Sequence, residues 1–239
     1  MSMRKDAYLP ISHLIRHFLL FVFFMLFLHT FARAAYNLWQ LDKVIEVNAL
    51  IPSFLQGLRF DLALIGLLLI VPIILVPLLA MFRPLTSLAR VVSVLWLFLS
   101  LVLVLLLELI TPHFMAEQGV RPDMVAFSAI ENPAMLATRV ISDNLVPAVI
   151  GLLLFVLILV AFWVRLDSSR LLRYPVKPLP ALCLIVVGVA FCVLAIRSSF
   201  DLNAPIMRPD AALISKSSIV NEISLNSTYK TLLSATAKR

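Results

Sequence analysis

Residues 62–82 read LALIGLLLIVPIILVPLLAMF, and LQGLRFD, residues 55–61, leads into them. A helix needs about 20 mostly apolar residues to cross a bilayer, and this run meets that length without a single charge. Two features must be explained by the rest of the chain. Pro72 and Pro77 interrupt the run, and proline is tolerated in a span when neighbouring helices satisfy the carbonyls it frees. That predicts a kinked, well-packed helix. Arg59 and Asp61 stand at its head, and charges at membrane depth are costly enough to mark functional sites or interhelical glue.

Four more runs have the same character: residues 18–35, 91–110, 145–164 and 179–196. Of 239 residues, 62% are hydrophobic and only 14% charged, against about 25% charged in a soluble domain. Mean hydropathy is +1.04. The expected fold is an all-α integral membrane protein with five transmembrane helices in residues 1–197. A polar segment, 198–239, follows. Its stretch NEISLNSTYKTLL, residues 221–233, predicts one short helix. Within it, Asn226-Ser227-Thr228 is a glycosylation sequon, meaningful only in a eukaryotic source.

Lysine and arginine in short loops set orientation. Nine of them, Arg4, Lys5, Arg16, Arg83, Arg90, Arg165, Arg170, Arg173 and Lys177, fall on one side of the five runs. Asp42, Glu46, Glu117, Asp123, Glu131 and Asp143 fall on the other. The prediction is a cytoplasmic N-terminus and an external C-terminus. The net charge of +7 is explained by these flanking cations, so nucleic acid is not an expected partner. The N-terminal run with Ala32-Arg33-Ala34 imitates a signal peptide, but the run is long and Arg33 crowds the cleavage site, which favours a retained span. Pro122 and Pro133 can each open a helix, predicting two short interfacial helices in the outer loop 117–144. Cys183 and Cys192 lie on opposite faces of one helix, which excludes a mutual disulfide.

No HExxH, GxSxG, CxxC or phosphate-cradling glycine loop occurs, and no catalytic residue is assigned. His13 and His17, four apart, could form a metal pair, although interfacial polar residues explain them better. The informative charges are those at the outer ends of the spans. Arg33, Arg59, Asp61, Glu108 and Arg197 should share one level there, with His29 on the Arg33 face at i, i+4. Arg59 and Asp61, two apart, must face different ways. Arg33, Arg59, Arg197 and His29 are candidate ligands for an anionic lipid headgroup, since guanidinium suits phosphate. Asp61 and Glu108 are candidate members of interhelical ion pairs, with Arg33 or Arg197 as the partner of Asp61. Ordinary snorkelling and packing is the competing explanation.

The arrangement resembles the N-terminal membrane domain of lipoteichoic acid synthase-like proteins. The resemblance rests on GLRFDL at residues 57–62, EQGVRP at 117–122, ENP at 131–133 and NEISLNSTY at 221–229. It implies a bacterial cytoplasmic membrane and a phosphoglycerol-type headgroup transferase, with residues 198–239 as an external linker. The catalytic domain would be of the sulfatase (alkaline phosphatase) superfamily, with a threonine nucleophile and a divalent metal such as Mn or Mg. It also implies an anionic outer-leaflet phospholipid as donor, the protein's own catalytic domain as partner, and a homodimer as a further option. A non-enzymatic membrane subunit, docking another protein through its outer helices, is the alternative. A transporter fits less well, because the charges sit at the rim and no inverted repeat is evident.

Overall fold

A computed structural model describes residues 8–128, 138, 145–166, 174–199 and 206–237. The described residues are helical, and the only strand-like pairing among them is a single bridge between Leu9 and Val176. Four helices are long and apolar enough to cross a membrane: α1 (Ser12–Trp39), α3 (Leu50–Ala80), α4 (Thr86–Gln118) and α7 (Pro178–Arg197). A further apolar helix, α6 (Leu145–Arg165), packs against α4. Short helices α2 (Leu41–Glu46) and α5 (Met124–Ser128) lie between the long ones. The tail folds into α8 (Ser218–Ser224) and α9 (Ser227–Ala237).

α3 is the centre of the bundle and touches α1, α4, α7, α8 and α9. Its closest partner is α7, where glycines remove the bulk between two backbones. A Cβ at Gly66 would lie 2.8 Å from the Cys192 carbonyl oxygen, and one at Gly188 would overlap the Ile73 side chain. The core runs along this axis through Phe60, Leu64, Ile65, Val76, Leu97, Leu101 and Val104.

Both expected interruptions of α3 lie inside one continuous helix. Pro72 has no N–H, so the carbonyl of Leu68, four residues back, loses its helical donor. The Trp96 indole of α4 donates to that oxygen at 2.7 Å. Pro112 does the same to Glu108 within α4, and there the Tyr36 hydroxyl of α1 approaches the freed carbonyl at 3.3 Å. These two vacated acceptors are thus each met by a donor from another helix.

Three local expectations are corrected. The second apolar helix starts at Leu50 and not at residue 62, because Ser53, Gly57 and Phe60 continue its buried face beyond the apolar run. Pro122 does not open α5: Asp123 caps it, its carboxylate accepting the Ala126 N–H at 2.8 Å, as N-cap aspartates do. The stretch 221–233 is two helices, not one. Asn226 breaks it by capping α9, its side-chain oxygen accepting the Tyr229 N–H at 2.8 Å. The expected helix after Pro133 lies outside the described residues.

The end of the bundle away from the tail is closed mainly by backbone. Leu9 N–H donates to the Pro175 carbonyl and Val176 N–H to the Ala80 carbonyl, both at 2.9 Å. His17 adds to this, one ring nitrogen 2.6 Å from the His13 carbonyl and the other 2.6 Å from the Leu166 carbonyl beyond α6. These contacts tie α1 to the end of α6.

Candidate functional site

The tail end of the bundle holds two guanidinium–carboxylate pairs side by side. Arg33 of α1 donates to both oxygens of Asp61 on α3, at 2.8 and 3.0 Å. Asp61 is fully buried and Arg33 is 2% exposed. Gly57, one helical turn before Asp61, makes room for this pair: a Cβ there would overlap Nε and Cζ of Arg33. The GLRFDL stretch therefore supplies both the anion and the gap its partner passes through.

Arg121 and Glu108 form the second pair, with Nη1 donating at 2.9 and 3.1 Å. Gly119 ends α4 with φ 70°, the left-handed conformation glycine adopts without a Cβ penalty. The chain then doubles back, so a loop arginine reaches Glu108, which lies well before the helix end. Burial alone would lower the pKa of Arg121, but the Glu108 carboxylate outweighs it and holds the guanidinium above its ordinary value. The Tyr36 ring lies under the same guanidinium, 4.8 Å from Cζ to centroid, a cation–π geometry. The Tyr36 hydroxyl is 3.2 Å from the Glu108 carboxylate.

The tail seats on both pairs. Asn226 Nδ2 donates to Asp61 at 3.1 Å, and the Ser227 N–H donates to Glu108 at 3.2 Å. Glu108 thus lies at the N-terminus of α9, where the helix dipole favours negative charge. Ser227 Oγ is 2.6 Å from Thr111 Oγ1, and Arg121 donates to it at 3.0 Å. Arg121 also donates through Nε to the Glu222 carbonyl at 2.7 Å. Below these polar contacts the Tyr229 ring packs on Phe60, at 5.7 Å between centroids. Burial pushes the Tyr229 phenol up to about 12, and its hydroxyl donates to the Met207 carbonyl at 2.5 Å.

The other singled-out residues fall around this cluster. His29 lies between the pairs, Nδ1 3.8 Å from Glu108 and 4.0 Å from Asp61, and its Nε2 is buried with no partner among the described residues. Arg59 points the other way and is exposed. It donates to Ser198 Oγ at 2.9 Å, to the Ser198 carbonyl at 3.3 Å and to Gln56 at 2.9 Å. It thereby closes the C-terminus of α7, where cations are favoured. Arg197 ends α7 at the same level, half-buried.

Among the members that sequence reasoning did not place in the site are Arg121, Glu222, Asn226 and Ser227. Both stretches that carry them, EQGVRP and NEISLNSTY, are among those behind the family resemblance, yet each is polar and reads as exposed loop or linker. No three His, Cys, Asp or Glu groups suited to a metal converge among the described residues. The donor chemistry agrees, since both buried carboxylates are already engaged by a guanidinium and by tail donors. This cluster does not fit a divalent cation. No protein-family model and no solved structure matches the chain.

Proposed function

We propose that the chain is the membrane domain of an outward-facing lipid-headgroup transferase of phosphoglycerol type. It spans the membrane five times, with the N-terminus inside and the tail outside, and fixes its external segment against the outer end of the bundle. One observation carries this reading. GLRFDL, EQGVRP and NEISLNSTY, the three described stretches behind the family resemblance, meet in one cluster through Gly57, Asp61, Arg121, Glu222, Asn226, Ser227 and Tyr229. A membrane domain that merely tethered its partner would need no such joint. The metal and the nucleophile go with the catalytic domain that the resemblance implies, and no step of the chemistry is assigned to these residues. Arg59, exposed at the same level, is the residue we assign to contact with the phosphodiester of an anionic donor lipid.

The test is headgroup transfer by the protein as the cell makes it, reconstituted with phosphatidylglycerol labelled in its headgroup. The expected result is divalent-metal-dependent appearance of diacylglycerol together with a labelled acceptor. Absence of both products with Mn and with Mg overturns the transferase reading. Orientation is tested separately. A cysteine introduced at Gln118 should react with an impermeant thiol reagent in intact cells, whereas one at Ser87 should not.

A further inference from the structure

We infer that residues 206–237 form a lid that lifts from the bundle as one folded unit, uncovering the two guanidinium–carboxylate pairs beneath it. The first observation is that this segment holds itself together. Asn221 accepts from the N–H groups of Ile214 and Ser215 at 3.0 and 2.9 Å and donates back to the Ser215 carbonyl at 2.9 Å. Tyr229 reaches back to Met207, Asn226 caps α9, and Lys230 pairs with Glu222 at 2.9 Å. These bonds survive when the segment leaves the bundle, because every partner travels with it.

The second observation is how charge is distributed across the seam. Asp61 has Arg33 and Glu108 has Arg121, all on the bundle side, while Glu222 has Lys230 on the lid. Each of these three pairs closes on its own side. Across the seam the hydrogen bonds come from the Asn226 amide, the backbone N–H groups of Ser227 and Met124, the Arg121 backbone, Nε and Nη1, the paired hydroxyls of Thr111 and Ser227, and the side chains of Gln56, Lys230 and Thr231, among others. Separating a buried ion pair strands a charge and is strongly unfavourable. Lifting this segment strands none. It breaks hydrogen bonds that water can replace and uncovers the apolar contacts of Tyr229, Val220 and Ile223. That loss keeps the closed form dominant and the open one a minor state.

Asn226→Asp tests the lid directly. Aspartate keeps the cap of α9, but it replaces the donor facing Asp61 with a second carboxylate. Thr228→Cys supplies the reporter: Thr228 is fully buried and its hydroxyl has no partner among the described residues, so the change removes no hydrogen bond among them. Native Cys192, buried in α7, reports on the bundle itself, and exposed Cys183 is replaced by Ser. With maleimide in detergent at mildly alkaline pH, position 228 should react at least about tenfold faster once Asn226→Asp is added, while Cys192 stays protected. Equal rates at position 228 with and without Asn226→Asp overturn the lid. So does a parallel rise at Cys192, which would mean that tail and bundle come apart only by unfolding. The measurement needs neither lipid turnover nor a known orientation, so its failure is distinguishable from failure of the transferase reading.

Discussion

The two ends of the bundle are closed by different chemistry. Away from the tail, Leu9, Val176 and the carbonyls of Pro175, Ala80 and Leu166 join backbone to backbone or to one histidine. At the tail end the joint is made by side chains: Arg33, Asp61, Glu108, Arg121 and Asn226 meet from segments far apart in sequence. A backbone joint depends on chain path and tolerates many substitutions. A side-chain joint of buried charges depends on each member, because removing one leaves its partner uncompensated. The tail end is therefore where single substitutions should act strongly, and where a small chemical change can alter the joint.

Asp61→Ala is the largest effect expected. It strands the Arg33 guanidinium, 2% exposed, and should reduce stability by about 3–5 kcal/mol, read as a melting shift in detergent. A loss under about 1 kcal/mol would remove the contrast between the two ends. Gly57→Ala comes next, at about 1–3 kcal/mol, the usual penalty of overpacking, because the new Cβ overlaps Arg33. A double-mutant cycle with Arg33→Ala sharpens this: the Gly57 effect should largely vanish when the guanidinium is gone.

At the opposite end, His17→Phe keeps the ring volume and removes both nitrogens that face carbonyls. About 1–2 kcal/mol is expected there, with labelling at position 228 in the reporter background unchanged. A change in that labelling would show the ends to be coupled. The smallest effect belongs to Arg59→Ala, about 1 kcal/mol or less for an exposed group with neutral acceptors. It should instead weaken retention of phosphatidylglycerol in native mass spectrometry. If Arg59→Ala and Asp61→Ala melt alike, the distinction between the exposed Arg59 and the buried Arg33–Asp61 pair fails.

The long helices were legible because hydrophobic length is a property of one segment at a time. Residues 91–110 announce a helix whatever surrounds them. The orientation of Arg59 against Asp61 was legible for a similar reason, since a separation of two residues on a helix dictates different faces. Arg121 and the tail were not legible. Their burial depends on partners elsewhere: Arg121 is interior only because Gly119 turns the chain back and Glu108 waits there. Local composition made Asn226 and Ser227 look solvated, yet both are fully buried, since carboxylates on α3 and α4 accept their donors. The early start of α3 was hidden likewise, because Ser53 and Gly57 are not apolar enough to extend a hydropathy run.

The prolines of α3 and α4 have a consequence for how the bundle is indexed. Leu68 and Glu108 present carbonyls that no neighbouring turn can serve, so Trp96 and Tyr36 have one addressable position each along their partner helix. A slide of one residue, about 1.5 Å, would leave an indole N–H facing an oxygen already engaged by its own helix. Pro72 and Pro112 thus each work as a detent, fixing the axial setting of two helices that smooth apolar surfaces alone would let drift. Replacing Pro72 by alanine would straighten the hydrogen-bond ladder of α3 and, in the same stroke, erase the mark against which α4 is aligned.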